Sequence, residues 1–488
     1  MTPRLFGTDG VRGVAGELLS AELALALGKA VTARTPADRP RVLIVRDTRE
    51  SGEMLQAALA AGVSAAGGEA LLGGVLPTPA APLLINRYGF DLAAVLSASH
   101  NPYQDNGIKF FAADGFKLSD EQEQTIEQEL LQADNSAGSA HGSGGSAHAS
   151  VGSAHTSGGQ AGVAQSSGAY AGGPSKGPRP PVRTGGVRAI GHVRELRGTH
   201  EDYLRELESR FAELRLDGLD VLIDCANGAT YKVAPEIFRR LGAEVTVVAA
   251  SPDGRNINAG CGSTHVAALG ERVRAGGHAL GLAFDGDGDR VLAVDRTGAV
   301  VDGDELIALA ALHLREQGRL AGEGVVVTVM TNYGFHSAMR EAGIEVACTN
   351  VGDRYVLEQL RRSGWSFGGE QSGHIIEMGF NSTGDGIAGA LLTLEALAGR
   401  DLSERGAMRK LPQRLVNVRV LDRGAFADSE NVKQAVAEEG QALAGRGRVL
   451  VRPSGTEPLV RVMVEAPSEK EADAVCSRLV ALVERELG

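Results

Sequence analysis

One order of segments recurs three times along this chain: a short β-branched run, a polar loop, then an Ala/Leu-rich amphipathic stretch. RVLIVR at 41–46 leads through an Asp-Thr-Arg turn into GEMLQAALAAGVSAAG. DVLIDCANGAT at 220–230 leads into KVAPEIFRRLG, and GVVVTVMTN at 324–332 into GFHSAMREAG. Strand, loop and helix in that order pack as sheet against helices, so the recurrence predicts consecutive α/β domains. From about residue 412 the pattern changes. RLVNVRV, GRVLVRPSG and PLVRVMVE read as strands and EKEADAVCSRLVALVEREL as a terminal helix, which predicts a smaller α+β domain.

One segment belongs to neither pattern. From Asn135 to about Gly186 the chain is rich in Gly, Ser and Ala, with three tandem seven-residue units between Ser139 and Gly159. No position of the heptad is consistently apolar, so a coiled coil is excluded. His141, His148 and His155 offer a weak metal site at most, and the composition predicts a disordered surface insertion over about 135–186. Just before it, Ser119 and Gln122 have the spacing of a capping box and predict a helix start.

Composition removes several classes of function. The 488 residues carry a formal net charge of −12 and no dense Lys/Arg block, which argues against nonspecific nucleic-acid binding. Cys225, Cys261, Cys348 and Cys476 lie far apart and form no CxxC pair, so neither a disulfide framework nor a zinc site is expected. The N-terminus MTPRLFGTDGVRG lacks the apolar stretch of a secretory signal. The most apolar helix-like run, IAGALLTLEALAG from Ile387, is too short to cross a bilayer and carries Glu395. The expectation is a soluble, cytoplasmic protein.

Four motifs carry chemistry. In LGLAFDGDGDRVLAVD, 280–295, two apolar runs flank Asp285, Asp287 and Asp289. Alternating aspartates repel one another unless a cation sits among them, and the intervening glycines let the backbone turn so that the carboxylates converge. An EF-hand is excluded, because Arg290 and Arg296 stand where that loop needs Gly and Glu. A three-carboxylate site with open positions suits Mg²⁺ in phosphoryl transfer, and a solvated acidic turn is the plainer alternative. In VRPSGTEPLVRV, 451–462, Arg452, Ser454, Gly455 and Thr456, with Arg461 beyond, form a set that can hold a phosphate dianion; an ordinary hairpin loop has similar composition. FGGEQSGHII, 367–376, offers Glu370, Ser372 and His374 to sugar hydroxyls, although a single His in a glycine loop is more often structural. In SASHNP, 97–102, Ser99 stands beside His100. Adjacent residues of an extended segment point apart and no Gly-x-Ser-x-Gly elbow is present, so a hydrolase pair is excluded. A serine that carries a phosphoryl group needs instead a metal, a phosphate clamp and a proton shuttle.

Together these motifs resemble those of the α-D-phosphohexomutase superfamily, in its order and over nearly the whole chain. FGTDGVRG (6–13) is similar to its N-terminal motif, SASHNP to its phosphoserine loop, DGDGDR to its metal loop, GGEQSGHI to its sugar loop and RPSGTEP to its phosphate loop. PDGRNINAGCGSTH (252–265) and NVGDRYV (350–356) resemble its amino-sugar branch. Ser97 stands where the broader superfamily often has Thr, and the glycine-rich insertion departs from the family pattern.

The resemblance implies three similar α/β domains with mixed sheets and a smaller C-terminal α+β domain around a central cleft, over 1–190, 191–296, 297–411 and 412–488. It implies that Ser99 carries the phosphoryl group and that one Mg²⁺ binds it together with Asp285, Asp287 and Asp289. Arg452, Ser454, Gly455, Thr456 and Arg461 would hold the substrate's resident phosphate, and Glu370 and Ser372 would grip sugar hydroxyls. Arg12 and Arg290 would steady the transferring group, with Lys109 and His374 as acid/base candidates. The implied reaction interconverts glucosamine 6-phosphate and glucosamine 1-phosphate through glucosamine 1,6-bisphosphate, on the route to UDP-N-acetylglucosamine and cell-wall precursors. The implied partner is a small phosphosugar, with no nucleic acid and no membrane. The fourth domain is expected to close on a hinge, and the assembly, a homodimer included, is left open.

Overall fold

The strands of the three recurrent segments are inner strands of three separate sheets. The structure, a computed structural model, describes residues 5–7, 9–140, 189–422, 425–454 and 457–488. The first sheet has seven strands in the order Phe6–Gly7, Gly10–Val14, Asp105–Ala112, Leu92–Leu96, Arg41–Arg46, Glu69–Val75 and His192–Glu195. The last four run parallel, and the Gly10–Val14, Asp105–Ala112 and Leu92–Leu96 neighbours are antiparallel. The second sheet has five strands and the third four, each mixed. The fourth is a three-stranded antiparallel sheet in which Leu459–Glu465 lies between Gln413–Arg419 and Arg448–Pro453. Helix Glu469–Leu487 covers it.

Two expected boundaries move. His192–Glu195 pairs in parallel with Glu69–Val75, so the first sheet runs past residue 190. Val300–Val301 pairs with Val291–Asp295, so the second sheet runs past 296. In both places a short edge strand lies in sequence beyond the last apolar run; the first is exposed throughout, and the second is only two residues long. Ser119 and Gln122 do form the reciprocal cap, at 3.3 and 2.9 Å. Their helix, Asp120–Ala140, extends past Asn135 into the segment expected to be disordered, carried on from the capped and well-formed turns before it, since adding a residue to an existing helix costs far less than starting one. The rest of that insertion, with His141, His148 and His155, lies outside the described residues.

One continuous apolar core joins the first three domains, from Leu43 and Val95 through Ile223 and Phe284 to Val325 and Leu391. The fourth domain has its own core around Val462, Val475 and Leu479. The run at Ile387 forms helix Gly386–Leu397, buried along almost all its length. No described helix is long and apolar enough to cross a membrane.

Candidate active site

The metal loop is the connection between strands Leu280–Phe284 and Val291–Asp295, which pair antiparallel. Two glycines let it lie against its neighbours. A Cβ on Gly286 would sit 2.6 Å from the Ser99 carbonyl oxygen, and Gly288 has φ +72° with Thr230 where a side chain would go. The three aspartates are buried, and one ligand atom from each falls within 4.8 Å of the others. Asp287 Oδ1 and Asp289 Oδ1 are buried oxygens with no hydrogen-bond donor. Buried carboxylate oxygens left in this way are costly unless a cation completes them. The donor set is all oxygen, which fits Mg²⁺. Burial, then the Asp289 and Asp287 charges, push Asp285 well above the ordinary carboxyl range.

Ser99 meets this loop directly. Its Oγ donates to Asp285 Oδ2 at 2.5 Å, and it is 1% exposed with φ 52°. Ser99 is therefore left-handed rather than extended. Its separation from His100 holds for a different reason than strand alternation: the serine turns to Asp285, whereas His100 Nδ1 lies 3.3 Å from Arg290 Nη1. The strained turn is held by two donors that the sequence reading missed. The fully buried Arg49 donates from Nη2 to the carbonyls of Ser99 and Asn101, each at 2.9 Å. Asn258 Nδ2 donates to the same two at 2.9 and 3.0 Å. Asp47 fixes Arg49 at 2.8 Å and accepts from Ser97 Oγ at 2.6 Å, while Ser97 Oγ accepts from the Ser99 N–H at 3.0 Å. Arg49 and Asp47 lie in the Asp-Thr-Arg turn, and Asn258 in PDGRNINAG.

Lys109 is 1% exposed and its Nζ lies 2.9 Å from both Asp287 Oδ2 and Asp9 Oδ2. Burial works against the ammonium, but Asp287, Asp9 and Asp289 outweigh it and hold the pKa above the usual lysine value. Thr78 Oγ1 also donates to Asp287 Oδ2, at 2.7 Å. His374 is buried, with Nδ1 3.7 Å from Asp289 Oδ2, and the Gly384 N–H donates to its Nε2 at 3.0 Å. That donation occupies the Nε2 lone pair, so the ring's own N–H faces Asp289.

Beside these groups a cavity of about 350 Å³ is lined by the first domain's Asp9 and Arg12, the second's Asp289 and Arg290, and the third's Glu370, Ser372 and His374. Arg12 and Arg290 each keep a buried Nε–H without an acceptor. Donors held ready in this way suit the oxygens of a phosphoryl group. Glu370 Oε1 accepts from the Gly352 N–H at 3.0 Å. The fourth domain reaches the cavity's wall through Arg452, whose Nη2 lies 3.6 Å from Sδ of Met330. Arg452 and Arg461 are direct cross-strand partners, and the Arg461 Nε is likewise buried and unsatisfied. Two arginines opposite each other on neighbouring strands repel one another and are suited to an anion between them. Ser454 is buried at the end of the same strand, whereas Gly455 and Thr456 lie outside the described residues.

The domain patterns of the phosphoglucomutase/phosphomannomutase family match this chain in order. Its alpha/beta/alpha domains I, II and III cover residues 3–137, 201–298 and 302–415, and its C-terminal domain covers 415–482. The chain belongs to the phosphoglucomutase/phosphomannomutase family. Within that family it is 48% identical to the phosphoglucosamine mutase of Moorella thermoacetica, over 98% of each chain. It is 47% identical to the phosphoglucosamine mutase of Heliobacterium modesticaldum, over 99% of each. Its fold is similar to that of a phosphoglucomutase/phosphomannomutase family protein from Burkholderia thailandensis, with TM-score 0.76, 20% identity and coverage of 100% and 99%. It is also similar to Aspergillus fumigatus N-acetylphosphoglucosamine mutase, solved with GlcNAc-6P and magnesium (TM-score 0.61, 18% identity, coverage 99% and 96%). This phosphoglucomutase/phosphomannomutase chain is thus an isomerase by family, with the expected mixed-sheet α/β domains and smaller C-terminal domain.

Proposed function

We propose that this protein is a phosphoglucosamine mutase, interconverting glucosamine 6-phosphate and glucosamine 1-phosphate through a phosphoserine at Ser99 and glucosamine 1,6-bisphosphate. The observation that carries the reading is the Ser99 Oγ–Asp285 hydrogen bond at 2.5 Å, beside a cavity with unsatisfied arginine donors. The name shared by the full-length relatives supports the amino-sugar substrate. The magnesium present with the Aspergillus enzyme supports a divalent cation held by Asp285, Asp287 and Asp289. When bound, Mg²⁺ would supply positive charge to the phosphoryl oxygens.

In the first half-reaction the O1 hydroxyl of glucosamine 6-phosphate attacks the phosphorus of phosphoserine-99. The new P–O1 bond forms as the P–Oγ bond breaks, and one proton passes from the attacking hydroxyl to the departing Oγ. The bisphosphate turns over, Ser99 Oγ attacks the 6-phosphate, and O6 leaves with a proton. Arg12 and Arg290 donate to the phosphoryl oxygens in both halves. Arg452 and Arg461, with Ser454, Gly455 and Thr456, hold whichever phosphate is not reacting. Glu370 and Ser372 bind ring hydroxyls. Lys109, kept charged by its carboxylates, suits the proton donor to a departing oxygen, and His374 orients Asp289.

The test is turnover by purified protein with Mg²⁺ and a trace of the matching bisphosphate, comparing glucosamine, glucose and mannose 6-phosphates by kcat/KM. A preference for glucosamine 6-phosphate, abolished in Ser99→Ala, is the expected result. A preference for another hexose phosphate would keep the chemistry and overturn the substrate. Absence of turnover from enzyme shown by intact mass to carry phosphoserine would overturn both.

A further inference from the structure

Two charged groups at this site have no role in the reaction as written. Asp9 lies just ahead of strand Gly10–Val14, in the first domain's N-terminal motif, and Lys117 follows strand Asp105–Ala112. Asp9 receives three cations: Arg12 through Nη2, Lys109 Nζ at 2.9 Å, and Lys117 Nζ at 2.5 Å. Lys117 Nζ also lies 2.5 Å from Asp353 Oδ2, at the start of the third domain's helix Asp353–Ser363. From Asp353 the chain of polar contacts returns to the metal loop. His374 Nε2 is 3.9 Å from Asp353 Oδ2, and His374 Nδ1 is 3.7 Å from Asp289 Oδ2. Lys109 Nζ closes the circuit, 3.9 Å from Asp289 Oδ2 and 2.9 Å from Asp287 Oδ2. The ring passes through all three α/β domains, the carboxylates being linked by the ammoniums of Lys117 and Lys109 and, between Asp353 and Asp289, by the His374 imidazole, whose N–H faces Asp289.

The ring has consequences for aim. Fixing a long arginine or lysine side chain costs rotamer freedom, and a transferring group is served only by donors already in place. Arg12 is a quarter exposed, and among the described residues its one ion pair is with Asp9, the charges of Asp287 and Asp289 acting on it from farther away. Without Asp9 its guanidinium would be free to swing into the cavity's solvent. Lys109 would keep only the metal-loop carboxylates and would be drawn toward them, away from the cavity. Lys117 is 11% exposed and lines neither the 350 Å³ cavity nor the metal loop; among the described residues its acidic partners are Asp9 and Asp353. It therefore acts on the site only through those two carboxylates.

We propose that Asp9 is a positioning residue that aims Arg12 and Lys109 at the transferring phosphoryl group, and that Lys117 registers Asp9 against the third domain's sugar-binding wall through Asp353. This rests on the phosphoserine reading above. Neither residue touches the reacting atoms, so their loss lowers kcat more than it raises KM.

The experiment compares Asp9→Asn, Lys117→Met and the double variant in the full chain, with Mg²⁺, glucosamine 6-phosphate and the bisphosphate. Expected are a fall of about 100-fold in kcat for Asp9→Asn and about tenfold for Lys117→Met, each with KM within threefold of wild type. Because Lys117 acts through Asp9, the double variant falls less than twofold below Asp9→Asn. The ³¹P resonance of phosphoserine-99 shifts in Asp9→Asn, because the donors round the phosphate have moved. A kcat for Asp9→Asn within threefold of wild type overturns the proposal. So do single losses that multiply in the double variant, since these mark independent structural effects. Should Asp9→Asn yield no folded protein, Lys117→Met carries the test: a lower kcat at unchanged KM supports the proposal and an unchanged kcat overturns it. Wild type without turnover or phosphoserine would sink the underlying reading instead.

Discussion

At the scale of single residues, the site is an arrangement of buried charges whose partners are incomplete by themselves. Asp287 has Lys109 and Thr78 on Oδ2, yet nothing on the buried Oδ1. Replacing it by asparagine removes one negative ligand and leaves the Lys109 ammonium with Asp9 as its remaining close partner. Asp287→Asn is therefore expected to raise the Mg²⁺ concentration for half-maximal activity by at least about tenfold and to lower kcat by about 100-fold. A metal titration of initial rates measures both, and an unchanged titration would remove Asp287 from the ligand set. The aspartates, Ser99 and the arginines were legible in the sequence because chemistry of this kind needs particular residue types at close spacing. Asp9, Lys117 and Asp353 were not. Asp9 and Asp353 lie inside the motifs FGTDGVRG and NVGDRYV, and Lys117 in none, but what each of them meets depends on how three domains are docked, which no local spacing encodes.

At the scale of elements, the helix Gly386–Leu397 shows how a buried segment is terminated and what that costs. Its N-cap Asp385 accepts from the Ala388 N–H at 2.9 Å and from the Tyr203 hydroxyl at 2.9 and 3.0 Å. Burial raises Asp385 to a pKa of about 6, with those hydrogen bonds opposing the rise only in part. Between the unfolded carboxyl pKa and about 6 the folded protein holds a proton that the unfolded chain has released. The stability that this group lends is thus complete at acid pH, falls as pH climbs from about 4 to 6, and is flat above that. The loss is on the order of 2–3 kcal/mol. Asp385→Asn keeps the cap and the Tyr203 acceptor but no longer ionises. Its Tm should rise relative to wild type between pH 4 and pH 7, and parallel pH curves would contradict this. The strands and helices of the three repeats were legible from apolar period and turn residues, because burial on one side imposes that period. The edge strands His192–Glu195 and Val300–Val301 were not, since the first is exposed throughout and the second, with Val300 exposed and Val301 buried, is two residues long and shows no period.

At the scale of the whole molecule, the continuity of the core separates what is rigid from what can turn. Three domains share one core and carry Ser99, the three aspartates and Glu370, whereas the fourth brings Arg452 and Arg461 on a core of its own. The joint between them is polar. Arg448 donates to Glu465 at 2.8 Å and to the carbonyls of Val329 and Thr331 at 2.9 and 2.6 Å. Glu465, with no exposed surface, accepts from the Tyr333 N–H at 2.7 Å. Because Met330, which Arg452 touches, lies inside that same segment, the joint fixes where the phosphate clamp meets the cavity. Arg448→Met strands a buried carboxylate, a loss of about 3–5 kcal/mol that falls on the joint rather than on the shared core. Calorimetry should then resolve an early transition for the fourth domain, and small-angle scattering a larger radius of gyration. kcat/KM should fall as the clamp loses its place, while phosphoserine-99, bound wholly within the first two domains, remains detectable by intact mass. A single unshifted transition with unchanged scattering would show that the apolar contacts of the fourth domain, and not this pair, hold it in place.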